Sequence, residues 1–442
     1  MSGIVPSSVR QFAVPAVIVV VTLAVFAPVI GNDFVEWGDR GDLVENPHYR
    51  GLGVSNLSWM FTTIHRGHYQ PLTWLSFTAD YAVWGMRPAG YHLTSLLLHA
   101  ACAVVVYLIA LRLLGPNVVL AAFFGALLFA LHPLRVESVA WATERRGPLS
   151  SLMALLAVLA YLHGARWWSL AFFGLGLLAK EFVMSLPVVL VILDVYPLRR
   201  RAWREKIPFF ALAAVGAAVA IASSAQSGVA RSLADYGLLA RIAQCFGGLA
   251  FYLQKILVPV GLSPIYSIPP DIDPFATRSV VSALIVIAMT AGLVAARTRF
   301  PAGLAAWAIF VVILSPVLGL AQTGNQLAAD RYTYLPAATL GILIAAGYAR
   351  LYRGPLIAVA VPWLILASVL SWHQAAVWRN DETLWTHAVA VNPECHISNH
   401  NLGTVMARQE RWDEAAAAYR RALETDPDMD DARRALELIP LN

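Results

Sequence analysis

Long apolar stretches recur along most of the chain and alternate with shorter polar segments. A helix needs roughly 17–25 apolar residues to cross a bilayer. Several stretches are shorter than this, so we expect tilted or partly buried helices. The pattern predicts an all-α fold, a polytopic transmembrane helical bundle of about eleven spans. The predicted spans lie near residues 11–30, 92–114, 118–134, 148–163, 166–179, 182–197, 207–225, 279–296, 301–320, 335–350 and 355–372.

The segment 240–258 is apolar but contains Gln244, Gln254 and Lys255. If it does not cross and the N-terminus is inside, basic residues gather in the inside loops and thirteen acids in the outside loops. This distribution follows the positive-inside rule. We therefore expect a re-entrant or interfacial helix at 240–258, with a twelfth ordinary span as the alternative. The inside loops then contain Arg10, Arg112, Arg166, Arg199, Arg200, Arg201, Arg204, Lys206, Arg297, Arg299, Arg350 and Arg353.

Composition supports a membrane protein, because 58% of the residues are hydrophobic and only 13% are charged. The strong preference for arginine over lysine, with abundant alanine, indicates a GC-rich bacterial genome. We therefore expect the bacterial inner membrane, with a cytoplasmic N-terminus and a periplasmic C-terminus. The net charge of +5 suits anionic lipid heads rather than nucleic acid. The cysteines show neither metal-site spacing nor a disulfide framework.

After residue 372 the chain changes character, since residues 373–442 contain seven arginines and twelve acids. We therefore divide the chain into a membrane domain, 1–372, and an extracytoplasmic tail, 373–442. The tail fits one 34-residue tetratricopeptide repeat, with a helix from Asn401 to about Gln409 and a second helix ended by Pro427. The second helix should have Trp412, Ala415, Ala418, Tyr419 and Ala422 on one face. A plain helical hairpin without a partner is the alternative.

The first outer loop, 32–91, is long for a connector and begins FVEWGDRGDLVENP. A carboxylate here can act as a general base on an acceptor hydroxyl. We favour Asp39 for this role, with Glu36 and His92 in support. Asp42 is interpreted as part of a solvated loop or a helix cap.

The second outer loop, HPLRVESVAWATERRGP, groups Glu137, Glu144, Arg145 and Arg146. Helical periodicity would place Glu137 and Ala140 on one face, with Glu144 one turn further on. Glu137 is a second candidate base, with Glu144 in support. The planar forks of Arg145 and Arg146 suit a phosphate, although an ion-pair network is the alternative.

Two more polar segments border predicted spans, LLAKEFVMSLP and NQLAADRYTYLP. Lys180 can act as a point charge for a phosphate, with a salt bridge to nearby acids as the alternative. Arg331 is a second phosphate ligand, with Asp330 and Tyr332 in support. Together the loops suit a substrate with a lipid tail, a phosphate and a polar head. The chain has neither a Walker-type phosphate loop nor a dinucleotide fingerprint.

At these same residues the chain resembles the multi-spanning membrane proteins with C-terminal tetratricopeptide repeats related to the TMTC O-mannosyltransferases, of the GT-C glycosyltransferase class. The resemblance implies a polyprenyl- or dolichyl-phosphate sugar donor and transfer to a protein hydroxyl outside the cytoplasm. It also implies that the tail could bind an acceptor protein. No cofactor is predicted; the outer acids could bind a divalent metal, but no compact ligand set stands out. The matching stretches are 34–52, 69–100, 128–150, 177–187, 326–336 and 395–428.

The chain departs from this family at one telling position. After Trp37 the family usually has two acids in a row, whereas here Gly38 precedes Asp39. Asp39 alone, Glu36 or Glu137 could then serve as the base, or the chain could be an inactive member. Two other functions stay open: a non-catalytic scaffold that docks partners through the repeat, and a transporter for a lipid-linked sugar. The scarcity of charges at the centres of the spans disfavours a transporter.

Overall fold

The computed structural model describes residues 7–227, 236–268, 272–320, 326–350 and 353–440, and these residues are almost entirely helical. Two very short strands, β1 (Tyr266–Ser267) and β2 (Gln326–Ala328), pair antiparallel. The helices of the described residues are α1 (Ser7–Val25), α2 (Val54–Thr62), α3 (Pro71–Trp84), α4 (Pro88–Leu114), α5 (Val119–Ala130), α6 (Val136–Ala140), α7 (Arg146–Leu162), α8 (Arg166–Ala179), α9 (Leu186–Val195), α10 (Ile207–Ser227), α11 (Leu238–Leu257), α12 (Thr277–Ala295), α13 (Pro301–Leu314), α14 (Tyr334–Arg350), α15 (Arg353–Val377), α16 (Asp381–Val391), α17 (His396–Arg408), α18 (Trp412–Thr425) and α19 (Asp430–Glu437).

Each of the eleven predicted spans coincides with a helix, which confirms the all-α membrane bundle. Among the described residues, five helical segments are by themselves long and apolar enough to cross a bilayer, and they include most of α4, α10, α12, α14 and α15. The remaining helices do not combine that length with that apolar character. One of them, α5, ends at Ala130 because Pro133 follows, and α6 leaves at an angle of 58°. The number of crossings therefore stays a prediction.

The segment predicted to be re-entrant or interfacial forms one continuous helix, α11. Its buried face contains Arg241, Gln244 and Gly248, spaced one helical turn apart. Leu238, Leu239, Ile242 and Leu257 are exposed. The N-terminal half of the helix therefore turns polar Arg241 and Gln244 toward the protein, while Leu249 and Tyr252 are buried further along and Gln254 is exposed. Its position relative to a membrane stays a prediction.

The bundle is closed by tight helix packing around a large apolar core contributed mainly by α4, α5, α7 and α9. Helices α5 and α14 approach each other closely where Gly125 meets Gly341. A Cβ atom added to Gly341 would lie only 2.6 Å from the carbonyl oxygen of Gly125. Small residues at such crossings allow two backbones to touch, as is common in membrane helix pairs.

Four loops meet at one end of the bundle, which we call the loop end: 32–87, 131–145, 180–185 and 326–333. The first loop is itself folded, since α2 and α3 enclose a small aromatic core with Tyr49, Trp74 and Phe77 at its centre. Its packing fixes the polar side chains of the first loop against the other three.

The tail packs directly on the loop end. Trp378, Leu384 and Trp385 share one apolar core with Val35 and Trp141. The second repeat helix, α18, is confirmed with its predicted buried face. The first repeat helix, α17, begins at His396 rather than at Asn401. The last membrane helix, α15, continues past the predicted boundary at residue 372 to Val377.

Candidate functional site

A cluster of five charged side chains lies at the centre of the loop end. Arg331 donates from its backbone N to Glu137 Oε2 at 2.6 Å and from Nη1 to Glu137 Oε1 at 2.5 Å. Arg146 Nε lies 3.1 Å from Glu144 Oε2, and Lys180 donates to Glu144 Oε1. Arg331 Nε, 4.0 Å from Glu144 Oε2, joins the two groups. We call these five residues the basic cluster, because three cations against two carboxylates leave a net charge of +1.

The backbone between and beside these residues is interrupted at two places. Helix α6 ends at Ala140 because Trp141 adopts an extended conformation, and Glu144 lies in the separate short turn that follows. The expectation of one continuous helix through Glu137 and Glu144 was therefore wrong. Lys180 is also extended, between α8 and the turn that precedes α9. These interruptions aim the side chains inward from three different loops.

Glu144 is fully buried, and its neighbours decide its charge. Burial alone would raise the pKa of this carboxyl, but the charges of Lys180, Arg146 and Arg331 outweigh it and hold the pKa at about 2. Glu144 is therefore ionised at neutral pH. One cation keeps spare capacity, because Nη1 of Arg146 is buried without a hydrogen-bond partner among the described residues. The cluster can thus accept a further anion.

Asp39, the first candidate base, is fully buried beside this cluster. Its Oδ1 accepts from the backbone N of Thr143 at 2.8 Å and from the Thr143 hydroxyl at 2.5 Å, and Oδ2 accepts from Val35 N at 3.1 Å. Burial raises the pKa of Asp39 to about 7, although these hydrogen bonds oppose the shift. Asp39 thereby ties the first loop to the second, one residue before Glu144.

Other predicted residues lie outside the cluster. Arg145 points into the core of the first loop, where it pairs with Asp80 and donates to Tyr91 O at 2.6 Å. It therefore has little capacity left for a phosphate. The ring of His92 is buried with Nε2 3.4 Å from Asp33 O. Glu36 forms ion pairs at the surface with Arg40 and with Arg408 of the tail.

Asp330 and Tyr332 flank Arg331 on the cluster's other side. The hydroxyl of Tyr266, on β1, donates to Asp330 Oδ1 at 2.9 Å, so the small sheet fixes this carboxyl. The Tyr332 ring stacks on Phe182 at 6.1 Å between centroids, next to Lys180. Arg331 also lies over the Trp141 ring, 5.4 Å from its centroid. Asp330, through its hydrogen bond, and Tyr332, through its ring stacking, thus hold the segment around Arg331 in place.

An apolar groove of about 450 Å³ begins beside the basic cluster. One end is formed by Val183, Ser185 and Leu335, which follow Lys180 and Arg331 closely in the chain. The groove follows one face of α14 from Leu335 to Arg350, a distance of about 22 Å at 1.5 Å per residue. Its walls come from α4, α7, α9, α13 and α14. The groove has the length and lining to hold an extended hydrocarbon chain.

The part of the chain that the structure describes contains no group of three or more His, Cys, Asp or Glu side chains arranged to hold a metal ion. The candidate site therefore consists of the groove, the basic cluster and the buried Asp39.

Comparison with known proteins places this geometry in context. A tetratricopeptide repeat family model matches residues 397–429. Protein O-mannosyl-transferase TMTC2 of Mus musculus is 32% identical over 166 residues, which are 34% of this chain and 20% of that protein. TMTC4 of Mus musculus is 25% identical over 509 residues, covering 95% of this chain and 67% of that protein. The chain is similar to the TMTC proteins.

The first relatives are much longer than the matched region, since the alignment with mouse or human TMTC2 spans only 20% of their length. Among solved structures, ArnT from Cupriavidus metallidurans, bound to undecaprenyl phosphate, is 18% identical with a TM-score of 0.41, covering 98% of this chain and 78% of that chain. The family model and the sequence relatives confirm the repeat and the resemblance to the TMTC proteins.

Sequence reasoning missed the hairpin His65–His68, Gln70 just after it, and the ion-pair partner Asp80 of Arg145. His68 Nδ1 lies 3.5 Å from Glu181 Oε1, immediately after Lys180. The signal was present, because HRGHYQP combines two histidines, an arginine and a glycine just before the proline that starts α3. No spacing rule, however, assigns these residues a function.

Proposed function

We propose that this chain is an integral-membrane glycosyltransferase of the GT-C type. It moves a sugar from a polyprenyl-phosphate donor to a hydroxyl acceptor, such as a protein serine or threonine. One observation supports this most: the chain segments that carry Lys180 and Arg331 of the positively charged cluster continue directly into the lining of an apolar groove about 22 Å long. A lipid tail beside a phosphate is the ligand chemistry that fits both.

The phosphate would bind between Arg146, Lys180 and Arg331. The unpartnered Nη1 of Arg146 supplies one donor without breaking an existing contact. Lys180 and Arg331 are already paired with Glu144 and Glu137, so a phosphate would compete with these carboxylates for them. Charge-assisted hydrogen bonds from arginine to phosphate are strong and often bidentate. Donor binding would thus draw Arg331 away from Glu137.

The reaction needs no nucleotide. The acceptor oxygen attacks the anomeric carbon of the sugar, the bond from that carbon to the phosphate oxygen breaks, and the polyprenyl phosphate leaves with the electron pair. The acceptor proton passes to a carboxylate, which acts as general base. The three cations stabilise the charge that develops on the leaving phosphate.

Asp39 and Glu137 are the proposed bases. The pKa of Asp39, raised by burial to about 7, suits a base that works near neutral pH. Its oxygens are engaged by Thr143 and Val35, and catalytic contacts often form only when substrate binds. Glu137 becomes available when Arg331 turns to the phosphate. Both carboxylates lie at the loop end, which we propose to face the periplasm of a bacterium, with the tail helping to hold a protein acceptor.

The test is transfer of labelled hexose from hexosyl undecaprenyl phosphate in membranes containing the full-length protein. Asp39→Asn or Glu137→Gln should abolish transfer while the protein still inserts and folds. Glu45→Gln, which changes an exposed carboxylate of the same first loop, is the matched control and should transfer normally. Normal transfer in both Asp39→Asn and Glu137→Gln would rule out this assignment of the base.

The orientation has its own test. A cysteine placed at exposed Arg433 in the tail should react with a membrane-impermeant thiol reagent added to spheroplasts, whereas a cysteine at Arg201 should not. The reverse labelling pattern would place the loop end in the cytoplasm.

A further inference from the structure

A tight hairpin of the first loop lies against the basic cluster. The backbone N and O of His65 and His68 bond each other at 3.0 Å, and Arg66 and Gly67 form the turn with positive φ angles of 49° and 82°. His65 Nε2 lies 3.2 Å from Asp42 Oδ1, and His68 Nδ1 lies near Glu181. The hairpin therefore bridges the first loop and the segment that carries Lys180.

Gln70 follows this hairpin and immediately precedes α3. Its side chain is 1% exposed, and neither its amide oxygen nor its amide nitrogen has a hydrogen-bond partner among the described residues. The position is fixed next to the cluster, because the Thr73 hydroxyl, one turn later, donates to Ala179 O at 3.0 Å. Ala179 is the residue before Lys180. A buried amide without partners is rare in folded proteins and calls for an explanation.

The hairpin next to Gln70 offers further polar atoms. Burial lowers the pKa of His68, and the charge of Arg146 lowers it further, so the ring is neutral at neutral pH. Arg146, whose charge acts on His68, also has a buried Nη1 without a hydrogen-bond partner among the described residues. An amide and a neutral imidazole each offer both donor and acceptor atoms, as sugar hydroxyls do.

We propose that the Gln70 amide and the His68 imidazole form the subsite for the sugar carried on the lipid phosphate, next to the Arg146 guanidinium that binds the phosphate. This inference rests on the proposed function and assigns the residues that recognise its sugar. The sugar hydroxyls satisfy the Gln70 amide, and specificity follows because an unpaired buried amide penalises any donor that lacks the hydroxyl.

The experiment compares two probe lipids, undecaprenyl phosphate and hexosyl undecaprenyl phosphate, on the full-length protein in detergent. Gln70→Leu keeps the size of the side chain and removes its polar atoms. We expect it to bind undecaprenyl phosphate as the wild type does, and to lose the wild type's preference for the hexosyl lipid by about tenfold, the factor for one neutral hydrogen bond. Its melting temperature should stay the same or rise, since an unpaired buried amide is removed.

The control is Gln254→Leu, the same change at an exposed glutamine of α11, which should alter neither affinity. An unchanged preference for the hexosyl lipid in Gln70→Leu would overturn the subsite. A fall in melting temperature together with equal losses for both lipids would assign Gln70 a structural role and would also overturn it. Failure of the proposed function is a separate result, namely that the wild type binds neither lipid or transfers no hexose.

Discussion

Glu144 offers the sharpest test of the basic cluster, because its burial and its partners give a magnitude. The pKa of this fully buried carboxyl lies at about 2 instead of its ordinary 4.5, which corresponds to about 3 kcal/mol of stabilisation at neutral pH. Glu144→Gln removes that stabilisation and leaves Lys180 and Arg146 buried without a counter-charge. Breaking a buried ion pair from one side typically costs about 3–5 kcal/mol, in agreement with the first figure.

The assay is thermal unfolding of the purified protein in detergent. Scaling the usual unfolding entropy to 442 residues, a loss of about 3 kcal/mol lowers the melting temperature by about 3 °C. The pH dependence has a definite sign. A carboxyl with a lowered pKa stabilises the fold above pH 4.5, and this stabilisation disappears as the pH falls toward 2. Wild type and Glu144→Gln should therefore differ at pH 7 and converge in acid.

Lipid binding distinguishes the role of Glu144 from that of its ion-pair partner Lys180. Glu144→Gln raises the net charge of the cluster from +1 to +2, so undecaprenyl phosphate should bind at least as tightly although the protein is less stable. Lys180→Met should lose both stability and lipid binding. Glu414→Gln, in an exposed pair on the tail, is the control and should melt as the wild type. The reasoning is refuted if Glu144→Gln melts like the wild type at pH 7 or if its deficit persists in acid.

Three further perturbations test the fold and its electrostatics, each by melting temperature in detergent. Gly341→Ala should destabilise the protein because the new Cβ meets a backbone oxygen of α5 at 2.6 Å, whereas Gly347→Ala on the same helix meets nothing and should stabilise it by up to about 1 kcal/mol; equal effects would contradict the close packing. Asp39, whose pKa burial raises to about 7, should make the wild type lose stability as the pH rises from about 4 to 7, and Asp39→Asn should lack this loss. Deleting 381–442 should uncover the apolar core under the tail and cause aggregation, while Arg408→Ala, which breaks a part-exposed ion pair, should cost no more than about 1 kcal/mol.

The membrane bundle was predictable because a bilayer requires long apolar helices, and each such helix is visible as one continuous apolar stretch of the sequence. All eleven predicted spans became helices. Helix α16 was missed although Asn380 and Thr383 form a capping box that starts it. A capping box is a local signal that the sequence alone contains. It was not used here because the helices were predicted from apolar stretches.

The site was harder to predict because its contacts join distant parts of the chain. Arg145 and Arg146 are adjacent and identical in type, yet one points to Asp80 and the other to Glu144. Their directions depend on the break at Trp141, which propensity does not signal. Gln70 was not predicted for a similar reason. It stands out only because its buried amide has no hydrogen-bond partner among the described residues, which the sequence does not show.

The unusual glycine of the first loop is explained by the same tryptophan. Gly38 has a φ of +112°, which side chains rarely adopt, and a Cβ there would lie 3.3 Å from the ring of Trp141. That ring also packs on Trp378, the residue after α15, and under Arg331 of the basic cluster. An acid at position 38, as in the paired-acid pattern of the family, would adopt a strained backbone and push against the ring that joins the tail, the first loop and the cluster. With glycine at position 38, the Trp141 ring keeps its place under Arg331. Asp39 is then the buried carboxylate of this motif.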